Sequence, residues 1–102
     1  MEEKKKNQIN VELKEDIASG TYSNLVIVNF SPSEFVLDFS SLMPGLAKAK
    51  VNSRIILTPQ HTKRLYKILG ENIKKYESKS GEIKGGEIQK IPLDFGGPKA
   101  QA

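Results

Sequence analysis

The sequence predicts an α+β fold, in which a four-stranded antiparallel meander precedes one long C-terminal helix in the order β-β-β-β-α. Three observations support this prediction. Apolar and polar residues alternate in several segments before residue 58, as is typical of strands. Short connections join these segments, which favours antiparallel neighbours. From residue 58 onward the apolar residues recur with the period of a helix.

The predicted strands are short segments in which an apolar residue occupies every second position or, in the second strand, both faces. In chain order they cover residues 9–14, 21–30, 35–40 and 48–57. The first contains Ile9, Val11 and Leu13, which alternate with polar residues. Pro32, between two serines, predicts a turn before the third strand, because proline fixes its own φ and donates no hydrogen bond.

Thr58 and Pro59 predict the start of the helix. Threonine accepts a hydrogen bond as an N-cap residue, and proline is tolerated at the first helical position. We expect the helix to extend to Lys79 and to be capped by Gly81. Its apolar side chains form one stripe, here called the helix stripe, that consists of Leu65, Ile68, Leu69, Ile73 and Tyr76.

The helix stripe is expected to cover the sheet face that contains the inner rows of the first, third and fourth strands. The opposite face then needs another cover, because it would expose a second apolar patch. This self-association patch consists of Val26, Val28, Phe30, Val36 and Ile56. We expect a second copy to cover it in a homodimer, since isologous pairing is the commonest assembly of small proteins. An alternative cover is the apolar segment 88–95 of the same chain.

The chain is long enough for one domain, with 102 residues of which 37% are hydrophobic and 27% charged. Residues 1–7 are charged and are expected to form a disordered lead. Residues 8–80 contain all predicted elements and form the single domain. Residues 81–102 contain two glycine pairs and are expected to form a flexible Gly-rich tail around the apolar segment 88–95.

The positive charge is concentrated in the middle of the chain. The net charge is +4, yet residues 39–80 alone carry nine basic and two acidic side chains. Such a concentration attracts acidic partners and polyanions. We expect a protein-partner face on the helix, formed by Lys63, Lys67, Lys74 and Lys75. A candidate nucleic-acid face on the fourth strand would consist of Lys48, Lys50 and Arg54.

Several function classes are disfavoured by composition. Cysteine is absent, which excludes disulfides and thiolate metal sites. The one histidine, His61, belongs to no metal-binding or catalytic motif, and no glycine-rich phosphate loop is present. We therefore expect no enzyme activity, no catalytic residues, no metal and no cofactor. No apolar run is long enough to span a membrane, and the chain starts without an export signal, so we expect a cytoplasmic protein without a membrane partner.

Two motifs resemble a family of short bacterial proteins known as a domain of unknown function. They are NFSPSEFVLDF, from Asn29 to Phe39, and RIILTPQHTKRL, from Arg54 to Leu65. The resemblance covers residues 8–95 and implies a cytoplasmic bacterial protein. Some relatives are encoded near RNA polymerase subunit genes, which implies a partner in the transcription machinery. The order β-β-β-β-α is also similar to the subunit of the SecB chaperone, although SecB-type chaperones are acidic and this chain is basic.

The sequence therefore leaves three functional hypotheses. The first is a non-enzymatic, self-associating protein-interaction module. The second is a nucleic-acid- or transcription-associated factor that uses the basic helix and strand residues. The third is a SecB-like chaperone.

Overall fold

The computed structural model describes residues 8–45 and 48–85, and it confirms the α+β class. The elements are α1 (Glu15–Ala18), β1 (Leu25–Phe30), β2 (Phe35–Leu42), β3 (Ala49–Leu57) and α2 (Pro59–Ser80). The predicted lead (1–7) and the apolar segment 88–95 lie outside the described residues.

The three strands form one antiparallel meander in the order β1-β2-β3. Residues 31–34 make the turn between β1 and β2, closed by the backbone N–H of Ser31, which donates to the Glu34 carbonyl oxygen at 2.9 Å. The turn places Phe30 directly opposite Phe35, and their rings stack with centroids 5.4 Å apart. Aromatic pairs across strands add to the stability of a hairpin, so this contact helps to fix the register of β1 on β2.

A β-bulge interrupts the pairing of β2 with β3. Phe39 pairs with Ser53 and Ser40 with Val51, which leaves Asn52 as the extra residue of β3. The side-chain nitrogen of Asn52, Nδ2, donates to Ser41 Oγ at 2.6 Å and to the Tyr22 carbonyl oxygen at 3.4 Å. The bulge therefore holds the segment that precedes β1 close to β2 and β3.

The predicted sheet had four strands, and the first of them, at residues 9–14, is not formed in the single chain. Residues 8–14 belong to no strand, and Ile9 and Val11 are 86% and 87% exposed. A strand is stabilised by pairing with a neighbour, and alternation alone does not supply one. This segment instead leads into the short helix α1, while β1 and β3 remain the two edges of the sheet among the described residues.

The predicted long helix is confirmed, including both ends. Thr58 Oγ1 accepts a hydrogen bond from the backbone N–H of His61 at 3.2 Å, and Pro59 occupies the first turn. The Gly81 N–H donates to the Glu77 carbonyl oxygen at 2.9 Å, and its φ of 87° is a conformation that favours glycine. Both ends of the helix have local capping signals, and the sequence predicted each end to within one residue.

The core of the single chain is very small. Among the described residues, Leu37 is the one apolar side chain that is buried. The expectation that the helix stripe covers the sheet is wrong for this single copy, because Leu69, Ile73 and Tyr76 remain 51%, 45% and 56% exposed. Helical periodicity correctly identified the stripe, but it contains no information on which surface buries it.

Candidate interaction surface

Strand register defines two faces of the sheet, because directly opposite residues of antiparallel strands project to the same side. One face is almost entirely apolar and is here called the apolar sheet face. Its apolar members are Val26, Val28, Phe30, Phe35, Leu37, Phe39, Ile55 and Leu57. Leu37 lies at its centre, between Val28 of β1 and Ile55 of β3.

The apolar sheet face is only partly shielded. Val28 is 52% exposed and Phe30 is 72% exposed, while Phe35 and Phe39 are half-buried. Scattered apolar residues are normal on a protein surface, but a contiguous patch that extends over three strands is typical of an interaction site.

The opposite face combines apolar residues with a buried polar cluster. Ile27, Asp38 and Arg54 form one row across the three strands, and Ser40 lies further along β2 on the same side. Asp38 and Ser40 are fully buried, although most apolar side chains of the described residues are not. The most completely enclosed groups in the described chain are therefore polar.

This register corrects the composition of the predicted self-association patch. The patch was expected to occupy one face, but pairing separates its members. Val26, Val28 and Phe30 lie on the apolar sheet face, whereas Val36 and Ile56 pair with each other on the opposite face. β1 is apolar on both sides. Its sequence therefore does not indicate which of its two sets of alternating side chains lies on the same face as Phe35, Leu37 and Phe39 of β2.

Asp38 and Arg54 form a bidentate ion pair. Arg54 Nε donates to Asp38 Oδ1 at 2.7 Å, and Arg54 Nη2 donates to Oδ2 at 2.9 Å. The hydrogen bonds from Arg54 lower the pKa of Asp38 below its ordinary value of 3.8; burial opposes the shift and the positive charge reinforces it. The same carboxylate raises the pKa of Arg54. The pair satisfies the buried carboxylate while the arginine side chain stays 59% exposed.

Polar side chains also hold the start of β1 against the end of β2. The Asn24 side chain accepts a hydrogen bond from the Leu42 N–H at 2.8 Å and donates to the Leu42 carbonyl oxygen at 3.0 Å, as a paired strand residue would. Ser23 Oγ donates to the Ser40 carbonyl oxygen at 2.9 Å. The backbone of residues 22–24 is thereby fixed over β2 before β1 begins.

The predicted nucleic-acid residues do not share one surface. Lys50 pairs with Ser41 and therefore projects from the apolar sheet face, whereas Arg54 projects from the opposite face. Lys48 precedes the strand and is exposed. The bulge at Asn52 accounts for the separation, since an extra residue shifts the alternation on which the prediction depended. The contact between Arg54 and Asp38 was not predicted from the sequence, although the two opposite charges lie on neighbouring predicted strands.

The predicted protein-partner residues do lie on one element. Lys63, Lys67 and Lys74 are exposed on α2, and a rotation of about 100° per residue places them on the side opposite the helix stripe. Lys75 is exposed at the border of the stripe. Within the described part of the chain, none of these four lysines forms an ion pair. We call Lys63, Lys67 and Lys74 the basic helix face.

No group of three or more histidine, cysteine or acidic side chains in residues 8–45 and 48–85 is placed to hold a metal ion. Neither helix of the described chain is both long and apolar enough to cross a bilayer.

Comparison with known proteins identifies a family without assigning an activity. Neither the curated proteins nor the solved structures yield a match. The family described as "Protein of unknown function (DUF3467)" matches residues 1–85, which include all the strands and the long helix. The chain therefore belongs to the DUF3467 family.

Proposed function

We propose that the protein is a non-enzymatic, self-associating protein-interaction module, in which two copies bury the apolar sheet face and the helix stripe. The observation that carries this proposal is that the described residues of the single copy form almost no core. Leu37 is the one buried apolar residue among those described, while two extended apolar surfaces remain accessible.

The ordering of a chain on folding must be offset by the burial of apolar surface. Fixing the backbone costs about 1–2 kcal/mol per residue, and full burial of a large apolar side chain contributes about 1.5–3 kcal/mol. Many apolar side chains of the described strands and of the 22-residue helix are only partly buried, so each contributes a fraction of that amount. Association would bury them further and so stabilise the fold.

A second copy fits these surfaces well. Each subunit carries an apolar sheet face and an amphipathic helix, so a two-fold pair covers both surfaces reciprocally. Permanent homodimer interfaces resemble a domain core divided between two chains, and they bury about 2,000–5,000 Å² in total. Such an interface would bury exposed apolar side chains of both surfaces, among them Val28 and Phe30 of the sheet and Leu69 and Ile73 of the helix.

The basic helix face suits a further, acidic protein partner. Because Lys63, Lys67 and Lys74 lie opposite the helix stripe, they remain accessible after the stripe is buried. Their charge is not neutralised by any described carboxylate. A dimer would present two such faces, which would attract an acidic surface over a long range.

A single-stranded nucleic acid is the second candidate partner for the same face. The supporting observation is that the lysines of α2 are exposed and form no ion pair with a described carboxylate, because phosphate binding depends on accessible cations. Binding of a labelled single strand should then weaken steeply between low and high salt. Charge reversal at Lys63, Lys67 and Lys74 should abolish that binding. If the wild-type protein still binds an acidic protein partner after nuclease treatment, the protein-partner hypothesis is favoured.

Solution mass tests self-association directly. Light scattering should give about twice the chain mass of 11.3 kDa for the wild type. Leu69→Lys introduces a charge into the helix stripe and should shift the protein towards single chains. Lys67→Glu, on the opposite side of the same helix, is the matched control and should remain dimeric. A wild type that stays monomeric at high micromolar concentration would contradict the proposal.

A further inference from the structure

We infer that residues 8–14 form the fourth strand of the sheet in the assembled protein, where they pair with the free edge of β3 in a second copy. This inference rests on the proposed self-association and specifies one contact within it. The partner copy would thereby add a strand to a sheet that has three strands within the described residues of the single chain.

The segment has the properties of a strand without a neighbour. Ile9, Val11 and Leu13 alternate with Asn10 and with two charged residues, which gives one apolar side and one polar side. No backbone hydrogen bond joins residues 8–13 to another described residue. A chain with this pattern gains both backbone pairing and apolar burial when it is added to a sheet edge.

Charge favours the β3 edge over the β1 edge. Glu12 lies in the segment and Glu15 and Asp16 follow it directly, so the end of the segment that adjoins α1 is acidic, although residues 8–14 themselves contain one acidic and one basic side chain. β3 contains Lys50 and follows Lys48, whereas β1 contains no charged residue. Opposite charges across neighbouring strands stabilise pairing.

The path of the chain also leads towards β3. The Tyr22 carbonyl oxygen accepts hydrogen bonds from Ser41 Oγ and from the Asn52 side chain, so the segment before β1 reaches from β2 towards β3. Residues 15–21 join this anchor to residues 8–14; four of them form α1, so together they span about 16 Å. That reach exceeds the spacing of about 4.8 Å between neighbouring strands several times over. Two copies with adjacent β3 edges could therefore exchange their segments.

Cysteine cross-linking tests the contact in the full-length protein, which contains no natural cysteine. One tagged copy carries Val11→Cys and a second, differently tagged copy carries Ser53→Cys in β3. The two copies are unfolded together, refolded and treated with a short bis-maleimide. The spacer of this reagent joins cysteines that are close but not directly opposite, so the register of the segment on β3 need not be known. We expect a cross-linked heterodimer. The control partner, Asn29→Cys in β1, should cross-link at least tenfold less.

The double variant Val11→Cys, Ser53→Cys distinguishes the two possible donors of the strand. Diluted into an excess of cysteine-free protein, it should give almost no internally cross-linked monomer. An internal cross-link in most chains would show that the segment pairs with its own β3, and it would overturn the inference. Equal cross-linking to Ser53→Cys and Asn29→Cys copies would overturn it as well.

A backbone substitution separates this inference from the proposed function. Val11→Pro removes an N–H donor and should raise the dimer dissociation constant at least tenfold, whereas Val11→Ile should leave it unchanged. The single chain gives Val11 no described partner, so its own fold should tolerate both changes. A Val11→Pro protein that dimerises as the wild type does would overturn the strand while leaving self-association intact. A monomeric wild type would overturn both.

Discussion

Asp38 and Arg54 lie directly opposite each other on β2 and β3 and are joined by two hydrogen bonds of 2.7 and 2.9 Å. The carboxylate is fully buried and the guanidinium is partly exposed. Removing one member of such a pair leaves an enclosed group without its partner, which costs more than the pair itself contributes. The pair therefore specifies the register of β3 on β2, because a shift by one residue would leave Asp38 without a cation.

Asp38→Asn should lower the free energy of unfolding by about 1–3 kcal/mol, the usual cost of losing charge-assisted hydrogen bonds at a buried group. Asparagine is nearly isosteric but lacks the charge and the second acceptor oxygen. Urea denaturation at a fixed protein concentration measures the change. Glu34→Gln, which removes an exposed carboxylate from the turn, is the control and should alter stability little. Equal stability of the two variants would show that the ion pair is not stabilising.

The contribution of this pair should also depend on pH. The pKa of Asp38 is lowered in the folded chain, so the charged carboxylate stabilises the fold at every pH above its ordinary value of 3.8. That stabilisation is lost as the pH falls through the lower folded value. The stability difference between wild type and Asp38→Asn should therefore be constant from about pH 5 to 7 and decrease below about pH 4. A difference that decreased instead between pH 5 and 7 would contradict the assigned direction.

Thr58→Ala should destabilise the start of α2 by about 1 kcal/mol, since it removes the acceptor for the His61 N–H. Thr58→Ser retains a hydroxyl and should lose only a small part of that amount. Circular dichroism during thermal unfolding compares the two variants at equal concentration. If alanine and serine gave the same midpoint, the hydroxyl would have no capping role.

The sequence predicted best those features that depend on neighbouring residues. Thr58, Pro59 and Gly81 lie next to the backbone groups that they cap, so the limits of α2 follow from the sequence alone. The turn at residues 31–34 is similarly local, as its proline and serines lie within the segment that changes direction.

Features that depend on distant residues were predicted less well. The alternation of residues 9–14 indicated a strand, but a strand also needs a partner, and among the described residues this segment pairs with neither edge of the sheet. The bulge at Asn52 has no local signal and separates Lys50 from Arg54. The burial of Asp38 depends on the register of two strands, which the apolar pattern of β1 leaves undetermined.

A matched pair of substitutions should identify the sheet face that associates. Val28 and Ile56 are similarly exposed in the single chain, at 52% and 58%, but they lie on opposite faces. A lysine at either position should therefore be tolerated about equally by an isolated subunit. If two copies meet through the apolar sheet face, Val28→Lys places a charge in the interface and should raise the dimer dissociation constant at least tenfold, or about 1.4 kcal/mol. Ile56→Lys should change it much less. Sedimentation equilibrium of the two variants measures both constants, and a stronger effect of Ile56→Lys would assign the interface to the face that contains Asp38 and Arg54.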